Sequence, residues 1–108
     1  MLDKWLAALR SGEYQQGTGQ LKNGDRYCCL GVACEISGLG AWEFDNYRCL
    51  SDVHSGSLPK EVQRALGLAS DVGWVGEKSL VSLNDIEKLT FNQIADLIES
   101  RPEGLFNA

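Results

Sequence analysis

A compact α+β fold, with about four helices and one or two short β-hairpins, is what this chain's residue pattern predicts. Three observations carry the expectation. Helically spaced apolar stripes lie at both ends, at Leu2, Trp5, Leu6 and Leu9 and at Phe91, Ile94, Ala95 and Ile98. A third stripe, Cys29, Val32, Ala33 and Ile36, lies between them. Asn23-Gly24-Asp25, flanked by Gln20-Leu21-Lys22 and Arg26-Tyr27-Cys28, carries the Asn-Gly pair favoured in tight hairpins. With 108 residues and 44% apolar content, the chain can bury one core, so residues 1–108 read as a single α+β domain.

The first helix ends at Ser11-Gly12, with Trp5 as its main core anchor. Tyr14 to Gly19 reads as a loop or irregular edge strand, because two glycines weaken regular pairing. After the hairpin, the second helix stops at Ser37-Gly38. Residues 38–57 fit either a long loop or a small strand pair. Leu58-Pro59 opens a third helix with Val62, Ala65 and Leu66 on its inner face, and Gly67 ends it. Residues 71–81 allow a second hairpin around Gly76. Upstream of the last helix, Asn84 and Asp85 read as helix caps, or as polar groups that contact a ligand, with Leu83, Ile86 and Leu89 facing inward. Thr90-Phe91-Asn92-Gln93 is a capping box that starts the terminal helix, and that helix stops before Pro102.

Charge excludes some function classes. Ten basic against fifteen acidic residues give −5, which argues against bulk attraction to nucleic acid or an anionic membrane. Residues 1–30 nevertheless carry a net +1, so an anion site belongs near the amino-terminal segment. No apolar run reaches the roughly 18 residues of a membrane span, and the expected location is the cytoplasm. Thiols stay reduced there, so Cys28, Cys29, Cys34 and Cys49 are expected to be free or metal-bound.

Four cysteines and His54 are enough ligand types for zinc, but the paired Cys-x2-Cys spacing of such sites is absent. No metal and no cofactor is expected. Cys28 or Cys29, near the start of a helix, could serve as a nucleophile, yet no base signature accompanies them and burial as small hydrophobes is the plainer role. Gly17-Thr18-Gly19 lacks the lysine-serine pair of a P-loop. Its backbone amides, beside Arg10, Lys22 and Arg26, could still hold a single anion. Tyr14 and Trp74 would be available to stack on a flat ligand, and Gln16, Asn84 and Asp85 to hydrogen-bond it.

Across most of its length the chain resembles a family of small, largely uncharacterised bacteriophage-encoded proteins. The resemblance rests on Trp5 to Gly17 (WLAALRSGEYQQG), Cys28 to Cys34 (CCLGVAC), Leu83-Asn84-Asp85 and Thr90 to Ile98 (TFNQIADLI). Ala33 and Glu35 stand where the family pattern often has leucine and aspartate. The resemblance implies a viral accessory factor acting in the host cytoplasm. By analogy with such factors, the leading expectation is a sponge that sequesters a small anionic, nucleotide-derived defence signal, such as a cyclic or ADP-ribose-type nucleotide. Such an activity is binding rather than turnover. The alternative is a module that inhibits a host protein through Trp42, Phe44 and Tyr47, and a cysteine-dependent enzyme comes third. A homo-oligomer, most commonly a symmetric dimer, would suit a ligand shared between subunits.

Overall fold

The computed structural model describes residues 1–50 and 52–107. Its elements run α1 (Leu2–Arg10), β1 (Gln15–Gln16), β2 (Lys22–Asn23), β3 (Arg26–Tyr27), α2 (Cys29–Ser37), β4 (Ala41–Glu43), β5 (Asn46–Cys49) and β6 (Asp52–His54). They continue with α3 (Lys60–Leu66), β7 (Trp74–Val75), β8 (Lys78–Ser79), α4 (Leu80–Asp85) and α5 (Phe91–Glu99). The radius of gyration is 12.3 Å, against about 13 Å expected for a compact chain of this length. The fold is α+β, as the sequence predicts, with small sheets set around a helical core.

The amphipathic stripe of α1 buries Trp5, Leu6 and Leu9, and that of α5 buries Phe91, Ile94, Ala95 and Ile98. The two helices pack together, with α2 behind α1. Trp5 is fully buried, and its indole Nε1–H donates to the Cys29 carbonyl at 2.9 Å, which fixes α1 against the start of α2. The α2 helix is apolar on nearly every side and lies inside the core, with Cys29 to Cys34 all buried. Gly31 lets it sit directly on the backbone of Leu21, because a Cβ there would run into the Leu21 carbonyl.

The hairpin at Gly24 is present, with Asn23 paired to Arg26. Gln15–Gln16 joins it as a parallel partner of β3, so the glycine-rich segment begins as an edge strand. Residues 38–57 hold a three-stranded antiparallel meander, in which Trp42, Tyr47 and His54 form one cross-strand row. Tyr47 is buried, and its hydroxyl accepts from the Gly40 amide at 2.8 Å. The second hairpin pairs Trp74 with Ser79.

The fourth helix differs from expectation. Ser79, not Asn84 or Asp85, is its N-cap, accepting from the Ser82 amide at 3.1 Å. Asn84 and Asp85 form its last turn, and Ile86 points outward at 74% exposure instead of facing the core.

Candidate functional site

A cleft of about 240 Å³ opens between the end of α1, the segment 12–16 and the start of α5. Arg10, Tyr14 and Gln16 line one side, and Thr90, Phe91 and Asn92 line the other. The capping box forms as the sequence predicts. Thr90 Oγ1 accepts from the Gln93 amide at 3.1 Å, and Gln93 Oε1 accepts from the Thr90 amide at 2.9 Å. The amides of Phe91 and Asn92 belong to the first turn, where a helix has no internal acceptors and carries the positive end of its dipole. The cleft therefore meets α5 at the end that favours negative charge.

Arg10 bridges the two helices at the mouth. Its Nη2 donates to Asp96 Oδ1 at 2.7 Å and to Glu99 Oε1 at 3.2 Å. These carboxylates hold the guanidinium pKa above its ordinary value, with the Asp96 hydrogen bond as the largest cause. Asp96 and Glu99 are 74% and 64% exposed, so both are well solvated and the bridge engages one guanidinium nitrogen. Formal charge at the mouth is thus not strongly positive. Recognition of an anion would rest on the Arg10 fork and the α5 amides acting together, with Tyr14 lining the cleft beside them. Burial, helped by Glu35 and Glu13, raises the Tyr14 pKa and keeps its hydroxyl a neutral donor.

The eight sequence-predicted ligand residues do not form one site. Arg10, Tyr14 and Gln16 meet in the cleft. Asn84 is 1% exposed and fully committed inside the protein. Its Oδ1 accepts from Gln16 Nε2 at 2.8 Å and from the Cys29 amide at 3.2 Å. Its Nδ2 donates to the Gly17 carbonyl at 2.8 Å and to Asp85 Oδ1 at 2.7 Å. Asp85 Oδ2 in turn accepts from the Gly19 amide at 3.0 Å. The Asn84-Asp85 pair therefore clamps the 17–19 loop from within, and the Gly19 amide that the sequence suggests for an anion is already taken.

The three cations also part. Lys22 lies over the rings of Tyr27 and Trp42. The Arg26 stem packs beneath Gly17, where any Cβ would lie 2.7 Å from Arg26 Cβ, and its Nη1 donates to the Gln16 carbonyl at 3.4 Å. Trp74, half exposed, sits on the β7–β8 hairpin and does not line the cleft. The proposed protein-docking aromatics separate likewise: Phe44 is 96% exposed, while Trp42 is half-buried and Tyr47 buried.

Sequence reasoning found three of the cleft residues and overlooked Phe91 and Asn92. The capping box marks that helix start in the sequence, but only the packing of α1 on α5 turns it towards Arg10.

The cysteine block belongs to the core. All four thiols are free and buried. Cys28 caps α2, its sulfur accepting from the Gly31 amide at 3.4 Å, and burial pushes its pKa up to about 11. Cys29 donates to the Leu80 carbonyl at 3.7 Å, and burial raises its pKa well above the ordinary value, as it does for Cys34. At pH 7 a thiol of pKa 11 is ionised only to about one part in ten thousand, so Cys28 is poorly suited to nucleophilic attack. Among the described residues, no three His, Cys, Asp or Glu side chains are grouped so as to hold a metal ion. No helix among them is long and apolar enough to cross a membrane.

No curated protein and no solved structure matches the chain. A family model does match, covering residues 1–102, and the chain therefore belongs to the family described as a domain of unknown function (DUF8296).

Proposed function

We propose that this protein captures a small anionic ligand in the cleft between α1 and α5. The observation that carries the reading is the convergence of Arg10, Tyr14 and Gln16 on the first turn of α5. An anionic group seated there would accept from the α5 amides and from the Arg10 fork, with the Tyr14 ring beside it. The 240 Å³ of space is below the roughly 300–1,000 Å³ of typical ligand pockets. One chain would then take a group the size of a single sugar phosphate, and a larger nucleotide would be shared between two copies.

The bacteriophage resemblance supplies the biological reading: an accessory protein that sequesters a nucleotide-derived defence signal in the host cytoplasm, without turnover. Calorimetry with ADP-ribose, a cyclic dinucleotide and inorganic phosphate tests it. Heat with one nucleotide and recovery of that nucleotide unchanged would support the sponge reading. Absence of heat with all three would count against it.

Inhibition of a host protein is the second reading, favoured by the hairpin-tip residue Phe44. It is 96% exposed and held at φ 57°, a left-handed conformation costly for a bulky residue. Loss of a specific host partner from pull-downs on Phe44→Asp substitution would favour it.

A further inference from the structure

Lys22 and Tyr27 are direct cross-strand partners on β2 and β3, so their side chains share one face of the hairpin. Trp42, from β4, closes over the same spot, with its ring centroid 6.0 Å from that of Tyr27 and the planes inclined at 66°. The Lys22 ammonium sits between the two rings, 5.7 Å from the Tyr27 centroid and 5.2 Å from that of Trp42. One carboxylate orients both. Tyr27 O–H donates to Glu35 Oε1 at 3.4 Å, and Trp42 Nε1–H donates to Glu35 Oε2 at 3.3 Å.

The rings are also held from behind. Tyr14 meets Tyr27 edge-on at 5.5 Å, and buried Tyr47 meets Trp42 at 4.8 Å. Two aromatic faces set at an angle, fixed by packing and joined by a carboxylate, are the elements by which proteins recognise alkylated ammonium groups. A lone surface lysine would need none of this support.

We infer that Tyr27, Trp42 and Glu35 form a binding site for an alkylammonium cation, stoppered in this structure by the chain's own Lys22. A quaternary or methylated ammonium is less strongly hydrated than the primary ammonium of lysine, so it gives up less water on entering between the rings. Tethered Lys22 competes as an intramolecular ligand, and removing it opens the site. None of Lys22, Tyr27, Glu35 and Trp42 lines the anion cleft, so this site does not depend on anion binding there.

The test is a titration with tetramethylammonium chloride, read from the Trp42 indole N–H resonance and run against sodium chloride at equal ionic strength. Lys22→Ala should bind at least about tenfold more tightly than the unaltered protein. Adding Glu35→Gln to Lys22→Ala should weaken that binding again. Choline and an N-acetylated trimethyl-lysine amide, run in parallel, distinguish a free quaternary amine from a methylated side chain of a partner. Circular dichroism checks folding, and Lys22→Gln serves as a second opened variant. Equal affinity in the unaltered protein and both opened variants, or no effect of Glu35→Gln, would overturn the inference.

Discussion

Gln16 and Asn84, 68 positions apart, are joined by a 2.8 Å hydrogen bond from Nε2 of the glutamine to Oδ1 of the asparagine. The same Nε2 donates to the Leu89 carbonyl at 2.8 Å, so a residue lining the cleft is fixed from the core side. Through Asn84 the order of the cleft is tied to the start of α2, where the same oxygen accepts from the Cys29 amide.

Asn84→Ala should therefore destabilise far more than an ordinary polar truncation. It leaves the buried Cys29 amide and the Gly17 carbonyl without their partner and leaves Gln16 held by the Leu89 carbonyl alone. Loss of a buried network of this kind costs about 2–4 kcal/mol. Urea unfolding measures it, and a loss below about 1 kcal/mol would show that the network is not cooperative.

Gly31→Ala sets two effects against each other. Alanine in a helix interior gains up to about 1 kcal/mol over glycine. The added Cβ, however, runs into the carbonyl of Leu21. That backbone has little room to yield, since the Leu21 amide donates to Ser55 at 2.6 Å and its carbonyl accepts from Cys28 at 3.1 Å. Overpacking against fixed backbone costs about 1–3 kcal/mol or more, so the steric term should win. Thermal unfolding with a lowered midpoint is the expected result, and a raised midpoint would contradict it.

Alkaline pH should loosen the fold through the cysteines. Burial raises the Cys28 pKa to about 11, and those of Cys29 and Cys34 also rise. The folded state thus binds protons that the unfolded chain releases near pH 8.5–9. Stability is full below that range and falls as pH climbs towards the folded values, with Cys28 alone contributing a slope of about 1 kcal/mol per pH unit at its steepest. Urea midpoints at pH 7, 9 and 10 measure it, and Cys28→Ser should flatten the decline while keeping a capping oxygen. The same burial predicts slow iodoacetamide labelling of all four thiols at pH 7.5, and one fast-reacting cysteine would revive the nucleophile reading.

Much of the fold is written locally. The stripes of α1 and α5, the Thr90 capping box, the Gly24 turn and the glycine stops at 38 and 67 all depend on short-range patterns, and the structure places each where the pattern indicates. The meander of 38–57 was less legible, because strands of three or four residues are fixed by partners such as Tyr47 and Gly40 more than by alternation.

The site was legible only in part for the same reason. Arg10, Tyr14 and Gln16 are close in sequence and stay together. Lys22 and Arg26 are nearby in sequence too, yet pairing on the hairpin turns Lys22 towards Trp42 and packs Arg26 against Gly17. Asn84 and Asp85 are polar residues before an apolar run, which reads as a cap. Their partners at positions 16, 17, 19 and 29 become neighbours only after folding.

Arg10→Ala separates binding from stability. Its partners Asp96 and Glu99 are mostly solvated, so the unfolding midpoint should change little. Loss of the guanidinium fork should weaken binding of an anionic probe about tenfold or more.

We propose the cleft between α1 and α5 as the place where an anion binds. Its most direct test is a backbone amide NMR titration with ADP-ribose. Shifts concentrated at Gly12, Tyr14, Phe91 and Asn92, and needing about tenfold or more ligand in Arg10→Ala, are the predicted result. No shifts, or shifts that avoid these residues and persist in Arg10→Ala, would contradict it.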